Sequence, residues 1–388
     1  MKHIILNWLS RKTYSNNFIP EIDGFRFFAI GTVVLYHLNT HFSRTIAGVN
    51  TTVIAQDNFF VEAISRGGLG VNVFFAISGF ILALPFAKQR LFGAKPIKLA
   101  DYYIRRITRL EPPYFISLLL LLLVHLIILK ENFKDIFPSF LASLFYVHNI
   151  LFDAWSKVNP VAWSLEVEVQ FYVLAPAFAI IFNVRNSLWR RTLLIIVIVV
   201  GALNAQLNYQ MIESLHLRKS LFMHLHQFLI GFLFADFFLT SWKETLMEKT
   251  YIYDLIGLSS LGLLYVFIPS NFITEVLFIG CLFLSFIALF KGIIINSFFT
   301  NKWIVIIGGM CYSIYLLHYA LIALFSKYSV KLFFPSISYI ENYLIQVVIV
   351  SPMVILVSAL FFVLVERPCM NKDWPMHFFT KIKSILAD

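Results

Sequence analysis

Residues 343–365 read YLIQVVIVSPMVILVSALFFVLV, and no Asp, Glu, Lys or Arg interrupts them. At about 1.5 Å of rise per residue, a helix of that length covers roughly 35 Å, more than the ~30 Å hydrocarbon core of a bilayer. The stretch therefore reads as a membrane-crossing helix. Nine further runs have the same character, at 25–43, 69–87, 114–130, 162–182, 193–210, 221–239, 253–268, 274–291 and 303–326. The expected fold is all-α, a polytopic bundle of about ten transmembrane helices forming one domain over residues 1–388, with the lipid bilayer as its surroundings. Composition agrees: 59% of the 388 residues are apolar and 13% are charged, against about 45–50% and 25% in soluble domains. Soluble, disordered and fibrous classes are excluded.

The net charge of +10 comes from basic residues lying between apolar runs rather than on a polar face. It reads as membrane orientation and not as affinity for nucleic acid. With ten spans and both termini cytoplasmic, the inner segments hold 21 Lys and Arg and the outer ones 9. Residues 137–152 are a shorter apolar candidate broken by His148 and Asn149. If they crossed, the division would be 15 to 15, so they are read as not crossing. The apolar stretch 4–9 is shorter than a signal-peptide core and lacks a small-residue cleavage site, so no processing is expected. Three cysteines, two of them inside apolar runs, are packing residues rather than a disulfide framework.

Ionisable residues inside spans are costly and mark function. Arg26 and His37 are eleven residues apart, about three helical turns, so they share one face of the first span some 16 Å apart. His41, one turn beyond, lacks the company of a carboxylate, and no metal site is expected. His224 and His226 are two apart and face different ways. Asp23 reads as a helix cap. The second span, GVNVFFAISGF, brings Gly70 and Gly79 for close packing together with polar Asn72 and Ser78. The loop before the third span carries Arg105, Arg106 and Arg109, followed by Pro112 and Pro113. Three arginines there suit a phosphorylated cytosolic ligand, because a guanidinium binds phosphate with two parallel bonds. WSLEVEVQFY opens the fourth span with Glu166 and Glu168 on different sides. CYSIYLLH places Tyr312, Tyr315 and His318 on one broad face of the ninth. His148 and Asp153 match an H-x4-D acyltransferase pattern that is discounted here, because the glycine-arginine block that accompanies it is absent.

Six stretches, EIDGFRFFAIGTVVLYH, GVNVFFAISGF, RRITRLEPPY, WSLEVEVQFY, GGMCYSIYLLH and ERP, run in order from Glu21 to Pro368. Together they resemble the acyltransferase 3 family of membrane acyltransferases. The resemblance implies a bundle of about ten helices that passes an acyl group, usually acetyl from cytosolic acetyl-CoA, to a carbohydrate acceptor outside. Typical acceptors are hydroxyls of bacterial surface polysaccharides such as lipopolysaccharide, and the expected place is the cytoplasmic (inner) membrane. The family's Arg-x10-His falls on Arg26 and His37, its glutamate on Glu168 and its arginine block on Arg105, Arg106 and Arg109. Asn72 stands where many members have Asp, and Cys311 where many have Ser.

From these readings His37, Arg26 and Glu168 are the candidate catalytic residues. Arg105, Arg106 and Arg109 are the candidate donor-binding residues, and Trp163, Ser164, Tyr315, His318 and Asn72 the candidate acceptor-binding ones. A thioester is already activated, so the reaction needs a base for the incoming hydroxyl, oxyanion stabilisation and exclusion of water. His37 fits the base; an acyl-histidine relay is the variant scheme. The rival class is a transporter, which intramembrane Arg, His and Glu also serve, although no inverted repeat is visible. Lipid, peptidoglycan or macrolide acceptors and a succinyl donor are alternatives within the enzyme class.

Overall fold

The computed structural model describes residues 8–11, 18–47, 59–211, 214–242, 248–371 and 374–375. Lys2, Lys12 and residues 4–7 of the amino-terminal stretch lie outside them. Among the described residues there is no strand, and twelve α-helices have eight or more residues. They are α1 (Pro20–Ala47), α2 (Gly70–Phe92), α3 (Leu99–Leu123), α4 (Phe133–Leu144), α5 (Trp163–Phe178), α6 (Ser187–Met211), α7 (Leu221–Thr240), α8 (Tyr251–Leu263), α9 (Phe272–Lys291), α10 (Lys302–Gly309), α11 (Cys311–Ser329) and α12 (Tyr339–Phe361). Short turns lengthen several of them, such as the π turn Val124–Ile128 after α3 and Gly67–Leu69 before α2. The protein is an all-α, polytopic membrane protein.

All ten apolar runs fold as helix, but not all as full spans. Seven helices are long and apolar enough to cross a membrane, and eight are if one bent pair counts as a single span. α1 has the length, at 28 residues, but His37, Asn39, Thr40 and His41 dilute its apolar content. It packs against α2, α10, α11 and α12, so this polar surface meets protein rather than lipid. α8 is only 13 residues long, because the chain leaves the helix after Leu263 and turns through Pro269 toward α9. The ninth run is broken: α10 and α11 meet at Met310 with a 69° bend. Residues 137–152 hold no helix of spanning length. α4 has 12 residues, about 18 Å of rise, and is followed by the single turn His148–Leu151.

Small residues set the closest helix contacts. A Cβ on Gly79 would collide with the Phe228 carbonyl, and one on Gly231 with the Ala76 carbonyl, so α2 and α7 touch backbone to backbone. Gly308 makes the same approach to the Asp23 carbonyl, seating α10 on α1. Around these pairs lie two apolar cores. One gathers Phe75, Phe80, Phe171, Phe228, Phe234 and Phe286 from α2, α5, α7 and α9. The other gathers Leu38, Phe42, Tyr114, Ile314 and Tyr343 from α1, α3, α11 and α12. The polar residues of α1, α2, α5 and α11 lie where the two cores meet.

Contacts near the helix ends sort into two groups. One end holds Arg11, Asp23 and Arg26, the Lys249–Asn296–Glu21 chain and the indole of Trp374 on Thr108. The other holds Arg66 on the Tyr265 carbonyl, Tyr339 on Asn39 and the segment 133–161.

Candidate active site

α3 corrects one expectation directly. Arg105, Arg106 and Arg109 are on a helix that starts at Leu99, not in a loop, and Pro112 and Pro113 lie inside that helix. Proline has no N–H to give, which frees carbonyls one turn back. The indole Nε1 of Trp374 donates to the freed Thr108 carbonyl at 2.8 Å. Separately, the Tyr312 hydroxyl donates to the Leu110 carbonyl at 2.9 Å. On a helix the three arginines spread over about 100°, with Arg105 and Arg106 at the two edges and Arg109 between them. Arg105 is exposed, its Nε donating to the Asp101 carbonyl at 3.0 Å. Arg106, one residue on, turns inward: its guanidinium lies 3.8 Å from the centre of the Tyr102 ring and 5.6 Å from that of Tyr172. Arg109, half-buried and between the other two in helical phase, comes within electrostatic reach of Arg11 and Glu366.

Asp23 is a second correction. α1 begins at Pro20, so Asp23 lies inside the first turn and is no cap. Its Oδ1 accepts from Arg26 Nη1 at 2.6 Å and from Arg11 Nη1 at 3.1 Å, which holds Arg26 at the basic end. Three turns away on α1, the His37 ring is 5.2 Å from the ring of His318 and 5.2 Å from that of Tyr319. His318 is fully buried. Its Nδ1 faces the carbonyls of Tyr315 at 2.8 Å and Ile314 at 3.2 Å. A carbonyl only accepts, so Nδ1 carries the proton and the lone pair is on Nε2. That nitrogen is buried and has no partner.

The remaining candidates continue from this pair. Tyr315 donates to the Val161 carbonyl and accepts from Ser164 Oγ at 2.6 Å. Glu168 Oε1 accepts from Ser78 Oγ and from the Tyr172 hydroxyl at 2.5 Å, with Arg26 and Arg106 in electrostatic reach. Glu166 faces elsewhere, as its spacing requires, and its Oε2 accepts from the Asn149 N–H at 2.7 Å. Trp163 places its ring 5.4 Å from His224 and 6.3 Å from Phe75. His226, on the other side of α7, bonds Glu275 at 2.8 Å instead. Asn72 is half-buried near the start of α2. His148 and Asp153 do not meet as a dyad. The His148 ring stacks on Phe152, while exposed Asp153 accepts from Ser214 and from the His216 N–H.

A family model described as an acyltransferase domain matches residues 19–363. The chain belongs to the acyltransferase 3 family. O-acetyltransferase OatA of Staphylococcus aureus strain MRSA252 is 26% identical over 97% of this chain and 61% of its own length. The peptidoglycan O-acetyltransferase OatA of Listeria monocytogenes is 30% identical over 50% of this chain and 29% of its own. The chain thus spans about three fifths of the length of the first of these curated relatives. No solved structure matches it significantly.

For a member of the acyltransferase 3 family, the closing ERP also finds a local reason. Glu366 is buried, and its Oε2 accepts from both the N–H of Ser313 at 3.0 Å and its hydroxyl at 2.5 Å. The break at Met310 leaves the first N–H groups of α11 without intrahelical partners, and Glu366 satisfies one of them. Sequence reading did not join three residues to the groups they bond: Ser78 and Tyr172 to Glu168, and Glu366 to Ser313. Tyr172 was findable, since it is four residues after Glu168 and so on the same helix face. The other two come from helices distant in sequence, and no spacing rule joins them to their partners.

Proposed function

We propose that this protein is an O-acetyltransferase that moves acetyl from cytosolic acetyl-CoA to a hydroxyl of a cell-surface polysaccharide or its lipid-linked precursor. The observation that carries the reading is the contact of half-buried His37 with fully buried His318, lying between an arginine-lined end and an end free of that cluster. Charge distribution supports placing the arginine end in the cytoplasm, in a bacterial inner membrane. Arg106 and Arg109 then meet the nucleotide phosphates, and the thioester arm enters alongside Glu168 and Tyr172. The acceptor hydroxyl approaches from outside, near Ser164, Tyr315, Trp163 and Asn72.

His37 takes the hydroxyl proton as the oxygen attacks the thioester carbonyl. The new C–O bond forms, the C–S bond breaks, and the proton returns to the leaving thiolate. His318 presents the lone pair of Nε2 beside His37, an acceptor for the N–H of the imidazolium while the charge lasts. Arg26, fixed by Asp23, supplies positive charge on the donor side of the same helix face. The apolar cores on both sides keep water from the thioester. A peptidoglycan sugar is the second acceptor reading, favoured by the printed name of the Listeria relative.

The test is reconstitution of the purified chain in vesicles, with isotope-labelled acetyl-CoA on the arginine side and surface glycans on the other. Label should appear on glycan. Mass spectrometry of surface glycans with and without the gene should differ by acetyl groups. A chain that carries solute across the vesicle without acyl-CoA would instead be a transporter.

A further inference from the structure

At the end opposite Arg26, two turns meet over the start of α5. One is His148–Leu151 with the strand of chain that follows it; the other is Leu215–Arg218 with Lys219. Lys219 is 4% exposed, and its Nζ is shielded and has no hydrogen-bond partner among the described residues. It sits 3.3 Å from the centre of the Trp155 ring. Asp153 and Glu166 are within electrostatic reach but do not bond it. Glu166 is engaged by Asn149, and Asp153 by Ser214 and His216. His148, 2% exposed, stacks on Phe152 at 4.9 Å and also keeps a buried nitrogen, Nδ1, without a partner. His216 Nδ1 bonds the Asn149 carbonyl at 2.7 Å, joining the two turns.

Burial brings the Lys219 ammonium down to about 8, so it is charged near neutrality. Burial likewise holds His148 down to about 4, so it is neutral. A shielded ammonium with a ring beneath it and no bonded anion is unfavourable unless something else uses it. Trp155, by contrast, is half-exposed, an aromatic face open to the outside. The cluster also adjoins the catalytic residues. Glu166 lies between Ser164 and Glu168 on α5, and the carbonyl of Arg218, next to Lys219, takes His224 Nε2 at 3.1 Å beside Trp163.

We propose that Lys219, Trp155 and His148 form an anion-recognising subsite for the acceptor, in which a carboxylate or phosphate on the sugar chain pairs with Lys219 and Trp155 stacks on a sugar ring. The acceptor is then an acidic saccharide, anchored by its charge while a neighbouring hydroxyl reaches the histidines. This rests on the glycan-acylation reading above. Replacing a ring contact by a charge-assisted bond orients the acceptor without touching the donor side.

The experiment uses the full chain in vesicles with labelled acetyl-CoA and three oligosaccharides matched in length: uronate-bearing, phosphate-bearing and neutral. Lys219→Met should raise the KM for the charged acceptor about tenfold or more and leave kcat and the neutral acceptor nearly unchanged. Lys219→Arg should retain most of the preference. The wild-type preference for the charged acceptor should also fade as pH rises through about 8, where the ammonium is lost, and that measurement needs no variant. The uronate and phosphate arms say which anion is used. Equal use of charged and neutral acceptors by the wild type, or a preference unchanged in Lys219→Met and flat in pH, overturns the subsite alone. Labelling of no glycan at all overturns the glycan-acylation reading and the subsite with it.

Discussion

His318 is held by two main-chain carbonyls at one nitrogen and left open at the other, next to the histidine of the family motif. If His37 is the base, His37→Ala lowers acyl transfer by about 10²–10⁴-fold while the protein stays in the membrane and still binds acetyl-CoA. Near-normal glycan acetylation at matched expression would remove His37 from that role. His318→Gln tests the partner. An amide keeps a polar group in the buried site but cannot offer an imidazole lone pair, so kcat should fall about tenfold or more with KM for the donor unchanged. A loss confined to KM would make His318 a binding residue only.

Helix faces separate residues that adjoin in sequence. Arg106 and Arg109 are half-buried on α3 and Arg105 is exposed. The double change Arg106→Ala and Arg109→Ala should therefore weaken acetyl-CoA binding to the purified protein by about tenfold or more, as expected for lost charge-assisted bonds, whereas Arg105→Ala changes it little. Equal losses in both would mean that net charge, not the helix face, attracts the donor. The α10–α11 break has its own check. Glu366→Ala strips the acceptor from the buried Ser313 N–H, at a cost of about 1–3 kcal/mol, and should lower the melting temperature of the detergent-solubilised protein. Gly79→Leu should do worse, since its side chain would meet the Phe228 backbone, while Gly280→Ala, with open space beside it, serves as the harmless control.

Across the whole molecule the decisive property is sidedness, because a donor and an acceptor on opposite faces require a site open to both. In a background lacking Cys281, Cys311 and Cys369, a cysteine replacing exposed Glu131 should react with an impermeant thiol reagent in intact cells. One replacing exposed Lys95 should react only after the membrane is opened. Labelling of position 95 from outside would invert the bundle and place the arginine face away from cytosolic acetyl-CoA.

Apolar run length and composition were enough to read the helical membrane class and the ten apolar runs, because the cost of exposing polar backbone to lipid acts on each segment by itself. Helical phase likewise put Arg26 and His37 on one face and parted Glu166 from Glu168. What the sequence could not supply were contacts between helices far apart in the chain. The bend at Met310, the turning of Arg105 away from Arg106, and the meetings of His37 with His318, Ser78 with Glu168 and Ser313 with Glu366 depend on which helices pack together. That choice is made by close glycine contacts and two aromatic cores acting together, and no local rule of spacing contains it.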